Sequence, residues 1–118
     1  MTGHTMQTTA GTHTWREVIA LLVQAADRGY QHAITEPAMH STALAADGLA
    51  STAIALLPEE QDHELDDVEL DASTAALSAV ELIAQAERLT RRHPIEQLPP
   101  GASEVVVDLL DLLRETRP

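Results

Sequence analysis

The chain has 118 residues, of which 44% are hydrophobic, and this is enough to bury one core but leaves little room for a second. Its formal net charge of −12 argues against direct binding to nucleic acid or to an anionic membrane, because phosphate contacts need clustered Lys and Arg. The absence of cysteine excludes disulfides, thiolate metal ligands and thiol nucleophiles.

The apolar residues are almost all aliphatic, since the chain contains no Phe, one Trp and one Tyr. Leu and Ala favour helices, whereas strands favour β-branched and aromatic side chains. Composition therefore predicts an all-α protein. All seven basic residues are Arg, and together with the abundance of Ala this is typical of a GC-rich bacterial genome.

Residues 1–13 are rich in Thr, Gly, His and Gln and lack apolar periodicity, so we expect a flexible tail before a single domain over 14–118. This tail has neither the basic nor the apolar stretch of a secretory signal. No apolar run in the chain reaches the ~20 residues that a membrane span needs. The expected localisation is therefore cytoplasmic.

The first predicted helix covers about residues 15–28. Thr14 and Glu17 have the spacing of a capping box, in which each side chain bonds the backbone N–H of the other residue. Gly29 is placed to end the helix in the left-handed conformation. Apolar residues recur at intervals of three and four and form one face: Trp15, Val18, Ile19, Leu22, Ala25 and Ala26.

The second predicted helix covers about residues 36–57, with Thr35 as its cap. It is apolar nearly all round, because Leu44 and Ile54 lie opposite its broad main apolar face. Either this helix is central in the fold, or its outer face meets another subunit. The pair Asp47-Gly48 in its middle leaves open a break into two shorter helices.

Residues 58–71 are strongly acidic and are predicted to form an exposed loop. The third predicted helix follows over about 72–92, with Asp71 or Ser73 as its cap. A polar stripe that includes Ser78 and Glu81 runs along this helix beside a heptad-spaced apolar seam.

The fourth predicted helix covers about residues 103–116, after a loop at Pro99-Pro100-Gly101. Its segment Val105-Val106-Val107 alone would suggest a strand, but the following Asp-Leu-Leu-Asp-Leu-Leu repeats at helical period. Four amphipathic helices joined by short or moderate connections favour an antiparallel four-helix bundle.

One polar line on the second predicted helix is a candidate metal or acid–base site. Glu36, His40, Asp47 and Ser51 fall in one narrow sector of that helix. A small metal-dependent enzyme built on the first three, with His63 as a further ligand, is therefore one hypothesis. The preferred interpretation is a solvent-facing edge, because the Glu-x-x-His pairs of di-metal bundles are missing.

No nucleophile elbow, phosphate-binding glycine loop or dinucleotide-binding motif occurs in the chain. The preferred hypothesis is a non-catalytic protein, without a cofactor, that binds another protein or itself through Leu44 and Ile54. The alternative is an acidic decoy or regulator that covers a basic nucleic-acid-binding protein. The acidic residues expected to make such contacts lie in the loop: Glu59, Glu60, Asp62, Glu64, Asp66 and Asp67.

Overall fold

The computed structural model describes residues 9–57, 70 and 72–116, and all regular structure in these ranges is helical. The predicted all-α class is therefore confirmed. None of the described helices is both long and apolar enough to cross a membrane. Short 3₁₀ helices at Ala72–Ala76 and Ile95–Gln97 accompany four α-helices: α1 (Thr9–His32), α2 (Met39–Ala55), α3 (Ala79–Thr90) and α4 (Ala102–Thr116).

One aliphatic core joins the four α-helices. The longest helix, α1, packs against α2 and α3, and α4 contacts the same two helices, whereas α2 and α3 barely meet. Trp15 is fully buried in this core. Buried aliphatic residues come from every helix, among them Val18, Leu22, Ala46, Ala53, Leu82, Ile83, Val105 and Leu109.

The N-terminal end of α1 lies earlier than predicted. Residues 9–13, expected in the tail, are helical, and Gly11 and Thr12 among them are buried. Thr14 is therefore inside the helix and is not its cap. Its hydroxyl oxygen instead lies 3.0 Å from Nε2 of His93. Packing thus extends α1 past the residue that the sequence marks as a helix start.

The C-terminal end of α1 corrects the interpretation of Gly29. The helix continues to His32, and the φ of Gly29 is not positive, so this residue is not a left-handed cap. A Cβ built at Gly29 would stand 2.9 Å from the Cβ of Ala43. Glycine at this position therefore allows α1 and α2 to approach closely.

α2 is one continuous helix through Asp47-Gly48, so the break considered there does not occur. The helix begins at Met39, later than predicted, because residues 33–38 form turns instead. Thr35 is therefore not its cap. Ala38 occupies the N-cap position and makes no side-chain capping bond.

α3 is shorter than the helix predicted over 72–92, because the first part of that range is a 3₁₀ helix. The cap is Ser78 rather than Asp71 or Ser73. The backbone N–H of Glu81 donates to Ser78 Oγ at 3.1 Å, and the backbone N–H of Ser78 donates to Glu81 Oε1 at 2.8 Å. This reciprocal pair is a complete capping box.

α4 includes Val105-Val106-Val107, which are helical as predicted. Gly101 precedes the helix in the predicted loop with a φ of 92°, in the left-handed region that glycine adopts without strain. The turn thus directs the chain into α4, whose buried face is formed by Ala102, Val105, Leu109, Leu112 and Leu113.

Candidate functional site

The polar line predicted on the second helix lies at the surface. Glu36 precedes α2 in the turn, and His40, Asp47 and Ser51 are exposed on the helix. Within the part of the chain that the structure describes, no three His, Cys, Asp or Glu residues are arranged to hold a metal ion. His63, the further ligand in the metal hypothesis, lies outside the described residues.

Of the acidic stretch over residues 58–71, the described residues include only Leu70. The residues expected to contact a basic partner lie outside the described ranges: Glu59, Glu60, Asp62, Glu64, Asp66 and Asp67. Leu70 is half-buried and packs against the core. A further acidic surface is present on α4, which exposes Glu104, Asp108, Asp111 and Glu115.

The two predicted apolar contact residues have different environments. Leu44 is 52% exposed on α2. Ile54 is partly buried and packs against the core. Among the described residues Leu44 is therefore exposed, whereas much of Ile54 is covered by the core.

Small and weakly polar residues surround Leu44 on the side of α2 that faces away from the core. They recur at alternating intervals of three and four, the spacing at which one helix presents a seam to another. We name this exposed seam the α2 outer face: Ser41, Leu44, Gly48, Ser51 and Ala55. Along the 17 residues of α2, Asp47 is the single carboxylate and no arginine occurs.

Gly48 lies in the middle of this face. No atom of the described residues lies within 4 Å of a Cβ built there, in contrast to Gly29. Glycine in a helix interior costs about 1 kcal/mol relative to alanine. Packing among the described residues therefore does not account for glycine at this position.

A groove of about 500 Å³ lies between α3 and α4. Its lining is apolar at Ala84, Leu110 and Leu113, acidic at the buried Glu87, and basic at three arginines. We name it the α3–α4 groove. The basic residues are Arg88, Arg91 and Arg114.

The three groove arginines differ in their partners. Arg91 donates through Nε to Glu87 Oε2 at 2.7 Å, and Glu87 is only 4% exposed. Arg114 lies 3.6 Å from Asp111 Oδ1 in an exposed pair, which stabilises little. Arg88 makes no side-chain hydrogen bond or ion pair with other described residues. Arg91 is thus held in place, while among the described residues Arg88 has no side-chain partner and Arg114 has only a weak one.

A second cavity, of about 460 Å³, lies where the end of α1 meets the start of α3. Its polar groups already have structural partners. Arg28 donates to the backbone carbonyl of Leu77, and Ser78 and Glu81 form the capping box. These groups hold the start of α3 in place, and they are not free to act on a ligand.

Trp15 also has a structural partner. Its indole N–H donates to the backbone carbonyl of Ala53 at 3.0 Å in the buried interior. That carbonyl lies in the last turn of α2, where it also accepts the backbone N–H of Leu56 at 3.2 Å. The indole therefore joins α1 to the C-terminal end of α2.

Sequence reasoning found Leu44 but missed the seam around it and the groove arginines. The seam was readable in principle, since its spacing of three and four is visible in the sequence. The groove was not, because it depends on how α3 and α4 lie against each other. Comparisons with models of protein families, with curated proteins and with solved structures found no match.

Proposed function

We propose that the chain is a non-catalytic, cytoplasmic helical-bundle protein of bacterial origin that acts by binding protein. The proposed partner at the α2 outer face is a second copy of the chain. The observation that carries this proposal is the glycine at position 48 in the interior of α2. No contact among the described residues requires glycine there, and the half-exposed Leu44 lies beside it.

The proposed architecture is an antiparallel four-helix bundle. Its support is that α1 and α4 each pack against both α2 and α3, so that the four helices surround one core. The connection after α1, residues 33–38, is short, which favours antiparallel α1 and α2. In this arrangement the α2 outer face stays free for a partner.

Close approach of a second helix explains the composition of the α2 outer face. At Gly29 the missing Cβ allows α1 to approach α2, and a partner helix would approach over Gly48 in the same way. Two copies of Leu44 would then be covered, and fully burying a Leu side chain stabilises by about 1.5–3 kcal/mol. A symmetric pair of identical faces is the commonest way in which copies of one chain associate.

Charge favours the same face. Two copies that each carry a formal charge of −12 repel each other, so they associate most easily where carboxylates are sparse. Asp47 is the single carboxylate on α2, whereas α4 exposes several. Self-association therefore has a lower electrostatic cost at the α2 outer face than at the acidic surface of α4.

Light scattering after size exclusion tests this proposal. The wild-type chain is expected to approach twice its 12.7 kDa as concentration rises, and Leu44→Glu is expected to stay at 12.7 kDa. The introduced carboxylate would have to lose its water in the contact, which is costly without a partner charge. The matched control is Val107→Glu on α4, because Val107 is 55% exposed and receives the same charge.

Gly48→Ala provides a second variant in the same experiment. The added methyl group has free space within the chain, so it should raise monomer stability by up to about 1 kcal/mol while weakening association. A wild-type chain that remains at 12.7 kDa at high concentration would contradict self-association. Equal loss of the dimer in Leu44→Glu and Val107→Glu would place the contact elsewhere.

The acidic decoy is the second candidate function, supported by the carboxylates that α4 exposes beside a net charge of −12. Attraction between this surface and a basic protein is screened by salt. Binding to such a partner should therefore weaken as salt rises. Self-association of an acidic chain should respond in the opposite direction, so a salt series distinguishes the two functions.

A further inference from the structure

The α3–α4 groove gathers positive charge in a chain that is otherwise strongly acidic. The sequence contains seven Arg against 19 Asp and Glu, and three of those seven line this one groove. Each of the three lies in or just after the last turn of its helix, where a cation stabilises the negative helix end. That role explains each residue singly, but it does not explain why both helices direct arginines to one groove.

The lining combines charge with apolar surface. Arg88, Arg91 and Arg114 offer guanidinium donors, which match the geometry of carboxylates. The half-buried Leu110 adds apolar surface, and the buried Leu113 lies beneath it in the lining. A groove of about 500 Å³ with this lining fits a segment that presents carboxylates beside aliphatic side chains.

The arginines are partly preorganised. Glu87 is buried and fixes Arg91 through Nε at 2.7 Å, so Arg91 has less side-chain freedom to lose when a ligand binds. Arg88 has no side-chain partner among the described residues, and its donors are available. Arg114 would exchange a weak exposed contact with Asp111 for a ligand carboxylate.

We infer that the α3–α4 groove is a docking site for a short acidic peptide segment of a partner protein. Arg88 and Arg114 bind its carboxylates, and the half-buried Leu110 contacts its aliphatic side chains. A short segment is favoured over nucleic acid, because the phosphates of a longer ligand would extend beyond the groove. There they would be repelled by the −12 chain, whose field reaches about one screening length, ~8 Å. The site is separate from the α2 outer face and does not rest on self-association.

Isothermal titration calorimetry at low ionic strength, with a synthetic twelve-residue peptide of Asp, Glu and Leu as the probe, tests the inference. Arg88→Glu and Arg114→Glu are each expected to weaken binding about tenfold, as removal of a charge partner does. The matched control is Arg92→Glu, which makes the same charge change at an exposed residue outside the groove lining. It should change the affinity by no more than about twofold, the effect of a rim charge.

A parallel titration uses a variant in which the six acidic residues of the stretch, Glu59 to Asp67, are replaced by Gln or Asn. Binding that is equal or tighter in this variant supports the groove, since the replacements remove repulsion and competition. Absence of binding to both proteins overturns the inference.

Two further outcomes also overturn the inference. Equal weakening by Arg88→Glu and Arg92→Glu would mean that the probe responds to overall charge. Displacement of the peptide by inorganic phosphate at constant ionic strength, with the same dependence on Arg88, would mean that the groove binds a small anion. Leu44→Glu should leave peptide binding unchanged, so failure of α2 self-association and failure of groove binding remain distinguishable.

Discussion

At Gly29 the methyl group of an alanine would not fit between α1 and α2. The nearest atoms to a Cβ at this position are the Cβ of Ala43 at 2.9 Å and its Cα at 3.2 Å. Neither belongs to a flexible side-chain end, so α1 and α2 would have to move apart. Gly48 lies in the same kind of helical backbone, yet a Cβ built there would meet none of the described residues within 4 Å.

Gly29→Ala is therefore expected to destabilise the chain by about 1–2 kcal/mol. Overpacking costs about 1–3 kcal/mol, and the better helix propensity of alanine returns up to about 1 kcal/mol. Urea unfolding measures the change, with Gly48→Ala as the control that should be as stable as wild type or more so. A Gly29→Ala variant more stable than wild type would show that the α1–α2 contact is looser than described.

At the scale of elements, two segments of the sequence carry the signature of a capped helix start. Thr14 and Glu17 share the spacing of Ser78 and Glu81. The second pair caps α3, whereas Thr14 lies within α1 with its hydroxyl directed at His93.

The Ser78–Glu81 capping box makes the stability of α3 dependent on pH. The carboxylate of Glu81 accepts a hydrogen bond from the backbone N–H of Ser78 and interacts with the Ser78 hydroxyl. Both interactions lower the pKa of Glu81 below its ordinary value of 4.5. A lowered pKa in the folded state stabilises at neutral pH, and that contribution is lost as pH falls through the folded pKa.

Glu81→Gln should therefore be less stable than wild type at neutral pH, because glutamine keeps an acceptor but lacks the charge. The difference in unfolding free energy between the two proteins should shrink as the pH falls below 4.5 and through the lower pKa of the folded state. The wild-type carboxylate is then protonated and, like glutamine, carries no charge. Urea unfolding at several pH values measures it. A difference that stays constant into acid would assign the effect to packing instead of charge.

Periodicity predicted the existence of the four helices, since apolar spacing records which face is buried. It did not predict the helix ends, because those depend on contacts distant in sequence. Burial of Gly11 and Thr12 extends α1, and turns over residues 33–38 delay the start of α2. Leu44 could be named as exposed from its helix position, but the groove arginines could not be placed together without the packing of α3 on α4.

At the scale of the whole molecule, charge and shape oppose each other. The formal charge of −12 keeps copies apart, while the α2 outer face offers a contact with one nearby carboxylate, Asp47. Repulsion between like-charged molecules falls as salt shortens the screening length, from ~30 Å at 0.01 M to ~8 Å at 0.15 M ionic strength. Contact between small and apolar groups depends much less on salt.

Self-association of the wild-type chain is therefore expected to strengthen between 0.01 M and 0.15 M ionic strength, roughly the range over which screening becomes short. Sedimentation equilibrium over a salt series measures the dissociation constant. Leu44→Glu provides the control, since it should remain monomeric throughout. Association that weakens with salt would indicate a contact between opposite charges, and so would contradict the α2 outer face.

Trp15 has a practical consequence for such measurements. It is the only indole in the sequence, it is fully buried, and its N–H bonds the end of α2. All tryptophan fluorescence therefore comes from one residue at the contact between α1 and α2. A blue-shifted emission spectrum should indicate that α1 and α2 are packed together, and a red shift should indicate that they have separated. The separation of these helices can therefore be followed without a label.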